Sequence, residues 1–180
     1  MEERIVAPDP VAEPEAYQQA LLDLLAGMDP LEVMRETPRR YRTATEGLSD
    51  EILSRPPEPG EWSLEQLLAH LFLGEIVYSF RWRFTLAQTG GAYPGYDQDA
   101  WVDLPRPPFA DILSAFDALR SMNVHLIENV PESEWDKEAH HQERGPESFR
   151  LSVQLIAGHD LAHLKQLEQT RAAVTLGDGS

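Results

Sequence analysis

No cysteine occurs among the 180 residues. That absence excludes disulfide frameworks, thiolate metal sites, iron–sulfur clusters and cysteine nucleophiles together. It also fits a cytoplasmic home. Basic residues are scarce, 15 Lys and Arg against 31 Asp and Glu, which leaves a formal charge of −16. Nucleic-acid binders need a basic footprint and so do proteins that adhere to anionic membranes, so neither is expected as a partner. No stretch approaches the ~18 apolar residues of a spanning helix. Met1-Glu2-Glu3-Arg4 begins no signal peptide, because no basic segment leads into an apolar one. No segment of any length alternates with period two, so no sheet is expected. What is present is enough apolar material, 42% of residues, for the core of one domain. Any metal must be held by histidine, carboxylate or water.

Proline, with 14 copies, divides the chain. Because proline breaks helices in their interior, the long proline-free windows 60–93, 109–130 and 147–180 are where helices are expected. In the first, Ser63 and Gln66 have capping-box spacing and Trp62 and Leu67 stand where a hydrophobic staple would pair them. Leu64, Leu67, Leu68, Leu71, Ile76, Phe80 and Phe84 then recur at threes and fours, and Gly90-Gly91 ends the run. A second helix fills 109–130 and a third follows Ser148, a plausible N-cap, to about Ala173. A fourth spans about Leu31–Leu48, with a kink or late start expected at Pro38. Pro14–Gly27 reads as a shorter preliminary helix. The expectation is an all-α four-helix bundle over residues 31–173, with a partly helical N-terminal extension over 1–30 and a flexible tail over 174–180. Residues 1–12 are expected to be mobile as well.

Six histidines carry the chemistry. His159 and His163 lie four apart on the last helix, which puts both rings on one face about 6 Å apart along the axis. His70 lies on the apolar stripe of the Trp62 helix and can supply a third imidazole from a facing element. Such a set, without cysteine or a nearby carboxylate motif, favours Zn²⁺, Ni²⁺ or Fe²⁺ over Mg²⁺ or Ca²⁺. Taken singly, an H-x-x-x-H pair is a weak signal and a lone histidine such as His70 is more often a satisfied core residue.

Four blocks in order strengthen the pattern. Pro59-Gly60-Glu61 followed by Trp62-Ser63-Leu64-Glu65-Gln66-Leu67-Leu68-Ala69-His70-Leu71 resembles the first signature of the DinB-like superfamily, the DinB/YfiT four-helix metalloproteins. Gly158-His159-Asp160-Leu161-Ala162-His163-Leu164-Lys165-Gln166 resembles the last. Tyr96 to Trp101 and His141-x-Glu143-x-Gly145 resemble two blocks between them. The resemblance covers about residues 30–173 and leaves out the segment before Leu31.

The resemblance implies an up-down-down-up bundle, often a homodimer, with a divalent metal held by His70, His159 and His163. It implies a metal-dependent transferase that uses a low-molecular-weight thiol of the bacillithiol or mycothiol type on small-molecule substrates. Many family members instead carry the label of metal-dependent hydrolase without an assigned activity. A non-catalytic metal-binding bundle linked to stress is the third reading. In the thiol version the cation lowers the thiol pKa so that thiolate forms near neutral pH; in the hydrolytic version it acts on water.

Several further residues have two open readings each. Arg81, eleven residues after His70, either receives an anionic thiol or substrate as a cofactor-binding residue, or is a solvated arginine. Glu75 supports the ligands or pairs with a base. Asp160 orients a ligand or is solvated. Asp97 and Trp101 roof the site, or Trp101 anchors its loop to the core. His141 and Glu143 are placed at a pocket rim, and His125 and His140 at the surface.

Overall fold

In the computed structural model, Pro8 and residues 11–176 are described. Four long helices dominate: α2 (Pro30–Thr45), α4 (Leu64–Ala87), α6 (Phe109–Glu128) and α7 (Phe149–Leu176). Shorter helices are α1 (Pro14–Leu25), α3 (Asp50–Ser54) and α5 (Gln98–Val102). Most of the expected mobile ends, residues 1–7, 9, 10 and 177–180, lie outside the described residues. None of the described helices is long and apolar enough to cross a membrane.

Side-chain pairings fix the direction of each long helix. Arg35 pairs with Glu128 and Arg42 with Asp117, so α2 and α6 are antiparallel. Glu75 meets Arg120 and Ser79 meets Asn123, so α4 and α6 run together. Trp82 reaches Ser152 while His70 reaches His159, so α7 opposes α4. The bundle is therefore up-down-down-up, as expected.

Local chemistry sets the helix starts. Ser63 and Gln66 form a complete capping box at the head of α4. Asp29 accepts from the Leu31 N–H and starts α2 at Pro30, and the Ser148 hydroxyl accepts from Leu151 at the start of α7. Of the two expectations at Pro38, a kink or a late start, the late start fails, since α2 begins at Pro30 and runs on through Pro38. Proline has no N–H to give the carbonyl four residues earlier. That carbonyl, of Met34, accepts instead from Arg120 Nη1 at 3.0 Å. The helix ends at Thr45, short of Leu48, and α7 continues to Leu176, past Ala173.

The expectation of no sheet is corrected. β1 (Ala92–Tyr93), β2 (Glu138–His141) and β3 (Gly145–Ser148) form a three-stranded sheet, β1 parallel to β2 and β2 antiparallel to β3. Strands of two to four residues are too short to show a period in sequence. The sheet fixes the connection after α4 against the hairpin before α7. Ile76 and Phe80, taken with the apolar series of α4, turn out exposed.

The core has two apolar clusters. One is built around Tyr41, Leu67, Phe116 and Leu167, the other around Met34, Trp82, Ile127 and Val153. Between them lies a buried polar layer. Arg120 donates through Nε to Glu75 at 2.8 Å and forms a two-pronged pair with Asp160, while Asn123 donates to the other Glu75 oxygen at 2.6 Å. All four side chains are essentially inaccessible. Helix α1 packs along α7 at Gly158, where any Cβ would run into the Leu21 carbonyl.

Candidate metal centre

His70 from α4 and His159 and His163 from α7 converge on one another. The Nε2 atoms of His70 and His159 are 2.9 Å apart, and one ring nitrogen from each of the three lies within 4.8 Å of the others. His163 is oriented by Gln166, whose Oε1 lies 2.9 Å from its Nδ1, so Nε2 is the nitrogen left to ligate. Trp62 packs its ring 4.8 Å from that of His70, so the staple residue also steadies a ligand.

These residues fit a divalent transition metal. Nδ1 of both His70 and His159 is buried without a hydrogen-bond partner. Three imidazoles converging in this way have little but one another to bond with, an expensive arrangement for neutral rings alone. Two nitrogens each ~2.1 Å from one ion can stand at the observed separation. Burial, reinforced by the neighbouring His163, holds the pKa of His70 well below its ordinary value. Burial and the charges of His163 and His70 do the same for His159, and burial lowers His163. All three rings are thus kept in the neutral form that ligates.

A cavity of about 460 Å³ opens beside His159. Gly74 lines it next to His159: a Cβ there would stand in ordinary contact, 3.9 Å from His159 Cε1 and 4.0 Å from the Tyr96 hydroxyl. Arg81 lines this cavity and is 2% exposed, which overturns the solvated reading. Asp160 is likewise buried and bound to Arg120, and Glu75 pairs with that same arginine. His141 and Glu143 line the cavity as expected, and Asp97 lines it while capping α5. Trp101 is exposed and packs its ring, tilted, 4.9 Å from that of Tyr96, holding a cavity wall instead of the core. His125 and His140 are exposed.

Residues missed from sequence are Arg120, Arg144, Tyr78 and Tyr17. Arg120 did leave a signal, since it stands four residues after Phe116 and four before Val124 on the apolar stripe of α6. Arg144 and Tyr78 line the cavity from the β2–β3 turn and α4, and Tyr17 does so from α1.

A family model of the DinB superfamily matches residues 34–167. Among curated proteins the chain is similar to a "Putative metal-dependent hydrolase" of Bacillus cereus (strain B4264), 21% identical over 78% of this chain and 83% of that one. A protein of the same name from Oceanobacillus iheyensis is 24% identical over 72% and 76%, and YfiT of Bacillus subtilis, also so named, is 22% identical over 77% and 82%. The solved structure of YfiT, described as "a probable metal-dependent hydrolase with an unusual four-helix bundle topology", superposes with a TM-score of 0.71 at 20% identity, covering 78% of this chain and 84% of that one. With its three histidines converged in a bundle of this topology, the chain belongs to the DinB superfamily.

Proposed function

We propose that the protein is a metal-dependent transferase that joins a low-molecular-weight thiol, of the bacillithiol or mycothiol type, to small electrophiles. The observation that carries this reading is the place of His159, one of three converged histidines, in the wall of a cavity sized for a small molecule. A divalent ion such as Zn²⁺, Ni²⁺ or Fe²⁺, held by His70, His159 and His163, supplies the positive charge that lowers the pKa of a thiol or a water. Gln166 fixes the His163 ring and Trp62 the His70 ring. Arg81 receives negative charge on the thiol or substrate. In the reaction the thiol sulfur bonds to the electrophilic carbon, the leaving group departs, and the thiol proton passes to solvent. The names of the relatives favour a second reading, in which water takes the place of the thiol and the reaction is hydrolysis.

The test is to load the protein with Zn²⁺ or Ni²⁺ and supply glutathione, bacillithiol or mycothiol with a fluorogenic electrophile. Conjugate should form with one of these thiols and stop on chelation. Metal-dependent cleavage of an ester or amide substrate without any thiol would turn the assignment to the hydrolase.

The protein is further proposed to act as a homodimer, supported by apolar side chains left exposed on the bundle, Ile76 and Phe80 on α4 and Met122 on α6. Light scattering should then give about twice the 20.3 kDa chain mass. A mass of one chain at working concentration rejects the dimer.

A further inference from the structure

Arg81 is a buried cation with no carboxylate beside it among the described residues. Its Nη2 reaches the Pro94 carbonyl at 3.3 Å and lies 3.0 Å from His141 Nε2. Its guanidinium also packs near the rings of Tyr78 and Tyr93. A guanidinium taken out of water without a counter-charge is costly to hold. The carboxylates nearby do not answer it. Glu147 is bound to Arg144 and to the Tyr93 hydroxyl, and Asp97 and Glu143 are exposed at the mouth.

His141 sharpens the point. Its Nδ1 accepts from the backbone N–H of Glu143 at 3.1 Å and of Arg144 at 3.3 Å. Burial, with Arg144 and Arg81 adding to it, pulls its pKa down to about 3, so the ring is neutral. A neutral ring has one proton, and with Nδ1 accepting, that proton is on Nε2, the atom facing Arg81. Two donors therefore stand side by side in the cavity with no acceptor between them. Around them lie Arg144 and the phenols of Tyr17, Tyr78 and Tyr96.

We propose that Arg81 and the His141 Nε2–H form an anion subsite, so that the ligand entering this cavity carries a carboxylate or phosphate group, with Tyr17 of α1 as part of its wall. An acceptor oxygen placed between the two donors satisfies both. The subsite and the histidines share one cavity, since Arg81, His141, Gly74 and His159 all line it. Arg81 follows Gly74 by seven residues on α4, about 10 Å along the axis, so a ligand anchored at Arg81 must span that length to reach His159. Tyr17 is supplied by a helix outside the family-matched residues 34–167, so this wall belongs to the extension and not to the shared bundle.

The inference rests on the cavity being the ligand site of the proposed reaction, yet its test needs no turnover. Full-length protein, as purified and after chelation, is titrated calorimetrically with succinate and with inorganic phosphate at pH 7.5. Saturable binding of at least one is expected in both preparations, and the tighter of the two tells carboxylate from phosphate. Arg81→Gln should weaken it at least tenfold, and Tyr17→Phe by several-fold. If Arg81→Gln does not fold, Arg81→Lys takes its place, with weaker binding and an unfolding midpoint near wild type expected. Binding that vanishes on chelation puts the anion on the metal and overturns the subsite while leaving the metal reading intact. No saturable binding by the wild type, or wild-type affinity in the Arg81 variant, overturns it as well.

Discussion

Replacing His163 with alanine takes the metal content from about one ion per chain to none retained through dialysis, with the helix content unchanged. Two imidazoles remain, and losing one of three donors should weaken binding by at least a hundredfold. The fold persists because the two apolar clusters flank the site and do not depend on it. His125→Ala, on the exposed face of α6, serves as the control and should bind like wild type. Elemental analysis with circular dichroism reads both outcomes, and unchanged metal content in the His163 variant defeats the assignment. The pH dependence follows from the direction of the shifts. Burial lowers the pKa of all three rings in the folded chain. Proton competition with the metal therefore begins below the ~6.5 of a free imidazole, and binding should weaken at lower pH than it would for three exposed imidazoles. For the metal-free fold the sign is unfavourable in acid. Below ~6.5 the unfolded chain takes up protons that the folded chain refuses, so stability falls as the pH drops through that range.

Replacing Arg120 with leucine should cost about 3–5 kcal/mol of stability. Arg120 is the one cation between two buried carboxylates, Glu75 and Asp160, and it also satisfies the Met34 carbonyl. Burial works against its charge, but Asp160 and Glu75 raise its pKa in spite of that. Removing it strands two negative charges and a carbonyl in the core. Replacing all three members with apolar residues of similar size should recover most of the loss, since a whole buried ion cluster is far less stabilising than its broken halves suggest. Urea unfolding of the single and triple variants measures both effects. An Arg120→Leu midpoint close to wild type would show that the network does not hold the helices together.

The bundle was legible because its signals are local. A capping box, proline-free windows and a 3.6-residue period mark the long helices, and the i,i+4 spacing of His159 and His163 places two ligands on one face. The polar layer left local signals too, and Glu75 does pair with a base. Glu75 follows Leu71 by four, Arg120 follows Phe116 by four, and Asp160 follows Ile156 by four, each a charge set on an apolar stripe where only a partner could keep it. The identity of the partners was hidden, because contacts between different helices leave no spacing in a sequence. Pro38 shows the same limit: the sequence reveals the missing donor, but not the arginine from α6 that replaces it. The sheet escaped because its strands are too short to display a period. The choice between the two readings of Arg81 stayed open because its helix face is closed by β1 and by His141 of β2, contacts that leave no spacing in the sequence.

Gly158 stands directly before His159 of the candidate metal centre, and its bare Cα is what lets the Leu21 carbonyl of α1 come so close. The same position therefore governs two otherwise separate parts of the molecule. A sequence of this fold with a larger residue there could keep its histidines but could not seat a helix in this groove. The N-terminal extension is thus seated on the bundle through one small residue in the last signature, and the Tyr17 wall of the cavity depends on that seat. Reading that one position across a set of sequences would sort those able to dock an N-terminal helix from those with an open cavity on that side.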